Sequence, residues 1–119
     1  MIEFGYYLRQ LRKEHNVSLQ ALADKLDVSI TFLSLIENNK KAIPTNYGDK
    51  LTEIFNLSSE QEKELKNSID YSNKKISIDL QDMNDAQQEV TLAFARTINT
   101  ASQKKLEELR KLLESDDEA

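Results

Sequence analysis

The segment Leu19-Gln20-Ala21-Leu22-Ala23-Asp24-Lys25-Leu26-Asp27-Val28-Ser29-Ile30-Thr31-Phe32-Leu33-Ser34-Leu35-Ile36-Glu37-Asn38 reads as two short helices with a sharp turn between them. Ser18 stands where an N-cap belongs, so the first helix runs from Leu19 to about Leu26. Ser29 caps the second, which runs to about Asn38. Leu22, Leu26, Val28, Leu33 and Ile36 supply the apolar side of the pair. Ala23 falls where the helices approach most closely, and a larger side chain would push them apart. The turn calls for a positive φ and falls on Asp27, one of the few non-glycine residue types that tolerates it.

This layout is a helix-turn-helix. Upstream, Phe4, Leu8 and Leu11 recur at helical spacing over residues 4–15, with Arg9, Arg12 and Lys13 in the half that suits cations. Asn16 can end that helix in a left-handed turn. Downstream, Lys40-Lys41-Ala42-Ile43-Pro44 is a basic loop. Thr45 is expected to cap a fourth helix bearing Leu51, Ile54 and Phe55 inward. Ser59 and Glu62 form a capping-box pattern for a fifth helix over about 60–72, which packs on the first domain or links onward. Ile76-Ser77-Ile78-Asp79-Leu80 alternates apolar and polar, the period of a half-buried strand. Helices are expected over Asp85 to Thr97 and Ser102 to Glu114. The predicted fold is therefore all-α: a five-helix domain, a short strand and a helical C-terminal region. The boundaries are 1–57 for the helix-turn-helix domain, 74–114 for a dimerisation or partner-binding region, and 115–119 for a disordered tail.

The second helix of the pair has two distinguishable sides. At about 100° per residue, Leu33 and Ile36 set the inner direction with Phe32 beside it. Thr31, Ser34 and Asn38 point the opposite way, with Ile30 and Leu35 at the margins. Thr31 and Ser34 can hydrogen-bond bases or phosphates, and Ile30 can meet thymine methyl groups. Ile30, Thr31, Ser34 and Leu35 are the expected base contacts. Arg9, Asn38, Lys40 and Lys41 are the expected phosphate contacts, which position a duplex without reading it. No arginine lies on this side, so the bidentate reading of guanine is missing and discrimination leans on apolar contact and DNA shape.

Composition narrows the function. The chain has 119 residues, with 2 Gly, 1 Pro, 1 His and no Cys. Disulfide scaffolds and thiolate zinc sites are excluded, and a lone His leaves little material for a catalytic triad or a metal cluster. No phosphate-cradling loop occurs. No enzymatic activity, catalytic residue, metal or cofactor is expected. No apolar run is long enough to span a membrane, and the first residues lack a secretory signal, so a cytoplasmic protein is expected. The net charge of −5 counts against non-specific nucleic-acid binding. Its distribution is uneven: residues 1–57 carry 7 basic and 7 acidic side chains, whereas 58–119 carry 9 and 14.

Residues 4–57 resemble the phage-repressor (Xre-type) helix-turn-helix family of transcriptional regulators. The resemblance lies in Gly5-x-x-Leu8-Arg9-x-Leu11-Arg12, in Val17-Ser18-Leu19-Gln20-x-Leu22-Ala23, in Val28-Ser29-x-Thr31-x-Leu33-Ser34-x-Ile36-Glu37-Asn38, and in the basic loop ending at Ile43-Pro44. It implies double-stranded DNA as the partner and a structural ion pair between Arg12 and Glu37. Two positions depart from the family pattern. Leu19 stands where Gln often contacts DNA, and Leu35 stands where a polar or basic residue is common.

A lone helix-turn-helix buries too little DNA for tight specific binding, so such domains usually act as dimers on half-sites about 34 Å apart. Ile76, Ile78, Leu80, Phe94, Leu106, Leu109 and Leu113 are the expected dimerisation residues. The functional expectation is a homodimeric, sequence-specific repressor, from a mobile element or controlling its own operon. The alternatives are an antitoxin that binds its toxin through 58–119, and a protein-binding adaptor without DNA binding. In these a toxin or anti-repressor is the protein partner.

Overall fold

The computed structural model describes residues 2–115. Its regular elements are all helical: α1 (Phe4–Glu14), α2 (Leu19–Leu26), α3 (Ile30–Glu37), α4 (Tyr47–Phe55), α5 (Ser59–Asn73), α6 (Asp85–Thr97) and α7 (Gln103–Glu114), with a 3-10 turn at Ile98–Thr100. The described residues divide into two compact units, 2–77 and 78–115.

The first unit is built around one apolar cluster. Phe4, Leu8 and Leu11 of α1, Leu22, Ala23 and Leu26 of α2, and Leu33 and Ile36 of α3 are buried together with Ile43, Leu51, Phe55, Leu65 and Ile69. Helix α5 packs on α1 and α4, and polar side chains tie it down. Phe4 N donates to Ser72 Oγ at 2.9 Å, and the Tyr7 hydroxyl donates to Gln61 O at 3.1 Å. Asn73, the last residue of α5, donates to Ile43 O and accepts from Ile43 N, both at 2.9 Å. That reciprocal pair anchors the end of the 40–44 loop.

Every helix of this unit stops without glycine. Asn16, Asp27, Asn39, Asn56 and Lys74 take positive φ, whereas neither Gly5 nor Gly48 does. After α3, Asn39 N donates to Ile36 O at 3.1 Å and Lys40 N to Leu35 O at 2.8 Å. After α2, Asp27 N reaches Asp24 O and Val28 N reaches Ala23 O. These paired bonds satisfy the carbonyls that a helix end leaves orphaned.

Several local expectations need correction. The strand expected over Ile76 to Leu80 is absent, and residues 75–80 adopt no regular structure. An alternating pentapeptide becomes a strand only where a neighbouring edge takes its backbone groups, and no strand exists among the described residues. Helix α4 begins after Asn46, not on a Thr45 cap. The capping box of α5 is formed by Ser58 and Gln61, one residue before the Ser59 and Glu62 pair. The expected tail lies outside the described residues except for Ser115, which caps the end of α7.

The second unit contrasts with the first, since none of its described residues is buried. Helix α6 is nevertheless well started: Asn84 accepts from Gln87 N, and the Gln87 side chain accepts from Asn84 N. Ser102 likewise accepts from Lys105 N at the start of α7. Local capping defines these helices, while several of their apolar side chains stay in the open. Val90 is 69% exposed, and Leu113 is 76% exposed.

Gly5 marks a close approach in the first unit. A Cβ there would collide with the backbone carbonyl oxygen of Glu37, so α1 lies against the end of α3 only because the side chain is missing. Gly5→Ala is expected to lower stability by about 1–3 kcal/mol through overpacking, although Ala is the better helix former by about 1 kcal/mol. Urea denaturation measures this, and an unchanged midpoint would mean that the junction yields freely.

Candidate nucleic-acid interface

Helix α3 is fixed at both ends and along its back. Ser29 Oγ accepts from Phe32 N at 3.0 Å at its start. Leu33 and Ile36 are buried beneath it, and Phe32 packs against the same core. At its end, Glu37 is only 8% exposed. A carboxylate at a helix C-terminus opposes the helix dipole, and here arginine offsets that penalty. Arg12 Nε lies 3.1 Å from Glu37 Oε2 and Arg12 Nη2 3.0 Å from Oε1, a two-pronged pair. Arg9 Nη1 lies 3.8 Å from Oε1.

The opposite side is open. Ile30, Thr31 and Leu35 are exposed, and Ser34 is half-buried. Asn38 sits over Ser34: its side-chain nitrogen donates to Ser34 O at 2.9 Å and to Ser34 Oγ at 3.3 Å. That nitrogen thus engages Ser34.

The cations surround this side unequally. Lys40 is exposed, and its backbone is pinned by the turn that ends α3. The Lys41 ammonium lies 5.4 Å from the centre of the Phe32 ring, a cation–π contact that holds it beside α3. Arg9 is half-exposed but leans toward Glu37. Lys13 was not among the residues expected from sequence to meet phosphate. It lines an open depression with Arg9, Arg12, Asn16, Val17 and Ser18, at the junction of α1 and α2. Its basic position late in α1 was visible in the sequence, but its proximity to the start of α2 depends on how the chain turns at Asn16. Leu19 packs against the core, which accounts for an apolar residue at that position.

The residues expected from the sequence to dimerise separate into two groups. Phe94, Leu106, Leu109 and Leu113 line one groove of about 400 Å³ within the second unit, together with Ile98. Ile76 and Ile78 are exposed and Leu80 half-buried in the irregular segment. No helix among the described residues is long and apolar enough to cross a membrane.

Breaking the Arg12–Glu37 pair from one side leaves a poorly solvated charge behind. Arg12→Ala is expected to cost about 2–4 kcal/mol, at the lower end for a buried pair because Arg12 keeps some solvent contact. Glu37→Gln should cost less, since the amide retains one acceptor. Denaturation of both single variants and of the double variant checks the coupling: the double loss should fall short of the sum.

Comparison with curated proteins and with solved structures returned no match. A family model described as helix-turn-helix matches residues 8–61. That span begins in α1, contains the whole of α2, α3 and α4, and ends in the first turn of α5. Residues 8–61 therefore match a helix-turn-helix domain, in agreement with the resemblance carried by residues 4–57.

Proposed function

We propose that the protein is a sequence-specific repressor that binds a promoter as a homodimer, serving a mobile element or its own operon. The observation that carries this reading is the open side of α3. Ile30, Thr31 and Leu35 are exposed beside Ser34, while Leu33 and Ile36 hold the helix from behind. A helix presented in this way fits a major groove, which is wide enough to admit it and displays a distinct pattern for each base pair. Thr31 and Ser34 supply the hydrogen-bonding groups, and Ile30 and Leu35 supply apolar contact. Lys40 and Lys41 meet the phosphates on either side, with Arg9 and Lys13 further along.

The homodimer rests on the second unit. None of its described residues, 78–115, is fully buried. Fewer than about 40 residues rarely fold alone without a disulfide, a metal or a partner, and the chain has no cysteine. Isolated helices shorter than about 12–15 residues are marginal in water. Pairing the Phe94, Leu106, Leu109 and Leu113 grooves of two copies would cover this surface and join two helix-turn-helix units in one molecule. Blocking polymerase then requires only occupancy.

Two measurements test the reading. Lys40→Ala with Lys41→Ala should weaken binding about equally across duplexes. It should also flatten the slope of log affinity against log salt by about 1–2. A changed sequence preference would instead make these lysines base readers. Light scattering on the full chain should give a dimer, and Leu109→Asp with Leu113→Asp should give a monomer with weaker DNA binding. A dimer that survives both substitutions would place the interface elsewhere. A small protein that co-purifies in equal amount with the chain would favour an antitoxin.

A further inference from the structure

The Asn38 and Ser34 pair says more about what the groove side of α3 can read. The Ser34 carbonyl can only accept, so the group 2.9 Å from it must be the Asn38 amide nitrogen and not its oxygen. This settles which way the amide faces. The same nitrogen lies 3.3 Å from Ser34 Oγ. An amide NH2 has no lone pair to offer, so the hydroxyl oxygen is the acceptor there and its hydrogen points away from Asn38.

A helical hydroxyl ordinarily turns its hydrogen back onto a carbonyl of the preceding turn. Thr91 and Thr97 do so here, donating to Gln87 O and Ala93 O at 2.8 Å. Ser68 does the same toward Leu65 O at 2.6 Å. Ser34 makes no such bond among the described residues; its hydroxyl takes part only with Asn38. Accepting a hydrogen bond also polarises a hydroxyl and strengthens it as a donor.

We infer that Asn38 is a positioning residue for base readout, presenting the Ser34 hydroxyl to the groove as a hydrogen-bond donor. The base opposite Ser34 is then one that offers an acceptor in the major groove, thymine O4, guanine O6 or a purine N7. Cytosine, which offers its amino group there, is disfavoured. The inference rests on the proposed base-reading role of α3. It replaces a phosphate contact for Asn38, whose amide nitrogen is already engaged.

The test is selection from a randomised duplex library with the full chain, followed by sequencing, for wild type and three variants. Thermal melts monitored by circular dichroism verify that each variant folds. Ser34→Ala should flatten one base-pair position, which identifies the base that Ser34 meets. In wild type that position should be poor in cytosine. Asn38→Ala frees the hydroxyl to rotate and should lower the discrimination against cytosine roughly two- to tenfold, the span of one hydrogen bond, leaving other positions unchanged. Asn38→Asp, whose carboxylate can only accept, should raise cytosine at the same position. The inference is overturned if wild type prefers cytosine there, if Ser34→Ala flattens no position, or if the Asn38 variants lose affinity evenly across all positions. No enriched sequence with wild type would overturn the base-reading role of α3 as well.

Discussion

The carboxylate of Glu37 is the point on which the presentation of α3 depends. It ends a helix, is almost wholly buried, and would be costly there without Arg12. Gly5 brings α1 up against the carbonyl of the same residue. One residue of α3 is thus gripped through its side chain and packed through its backbone, both by α1. With Leu33 and Ile36 buried alongside, α3 has little freedom to roll. The side that carries Thr31 and Ser34 stays outward because the other side is held in these separate ways.

The same unit shows how a helical domain can turn sharply with little glycine. Each of its five helices ends on a residue of positive φ, and none of those is glycine. Asparagine and aspartate pay a modest conformational cost in that region. Lys74 is the least suited by type, and its ammonium lies 5.3 Å from the centre of the Tyr71 ring. The stop after α3 fixes the backbone of Lys40 immediately beyond the open side of that helix. Asn73 then holds Ile43 at the far end of the loop. The basic loop is therefore tied at both ends, and Lys41 is steadied over Phe32.

The second unit obeys a different balance. Its helices are capped as carefully as those of the first, yet none of their residues is fully buried. Caps decide where a helix begins; burial is what makes it persist. Its groove is apolar along Phe94, Ile98, Leu106, Leu109 and Leu113, with Glu107 and Arg110 at the edge.

Features that depend on near neighbours in the chain could be read from the residues alone. Ser18 and Ser29 cap α2 and α3, Asp27 makes the left-handed turn, and the inner and outer sides of α3 follow from its helical period. All of these involve groups a few residues apart. Near-equivalent local choices were less secure: Ser58 with Gln61 and Ser59 with Glu62 both suit a capping box, and only the first is used. The segment from Ile76 to Leu80 carries a strand's alternation, but a strand needs a partner edge, and none is present among the described residues. The collision space at Gly5, the Asn73 clamp on Ile43, the approach of Arg9 to Glu37 and the inward fold of Leu19 were decided by tertiary structure alone. Each joins groups that periodicity cannot bring together, because it describes one helix at a time and says nothing of how far apart two helices come to rest.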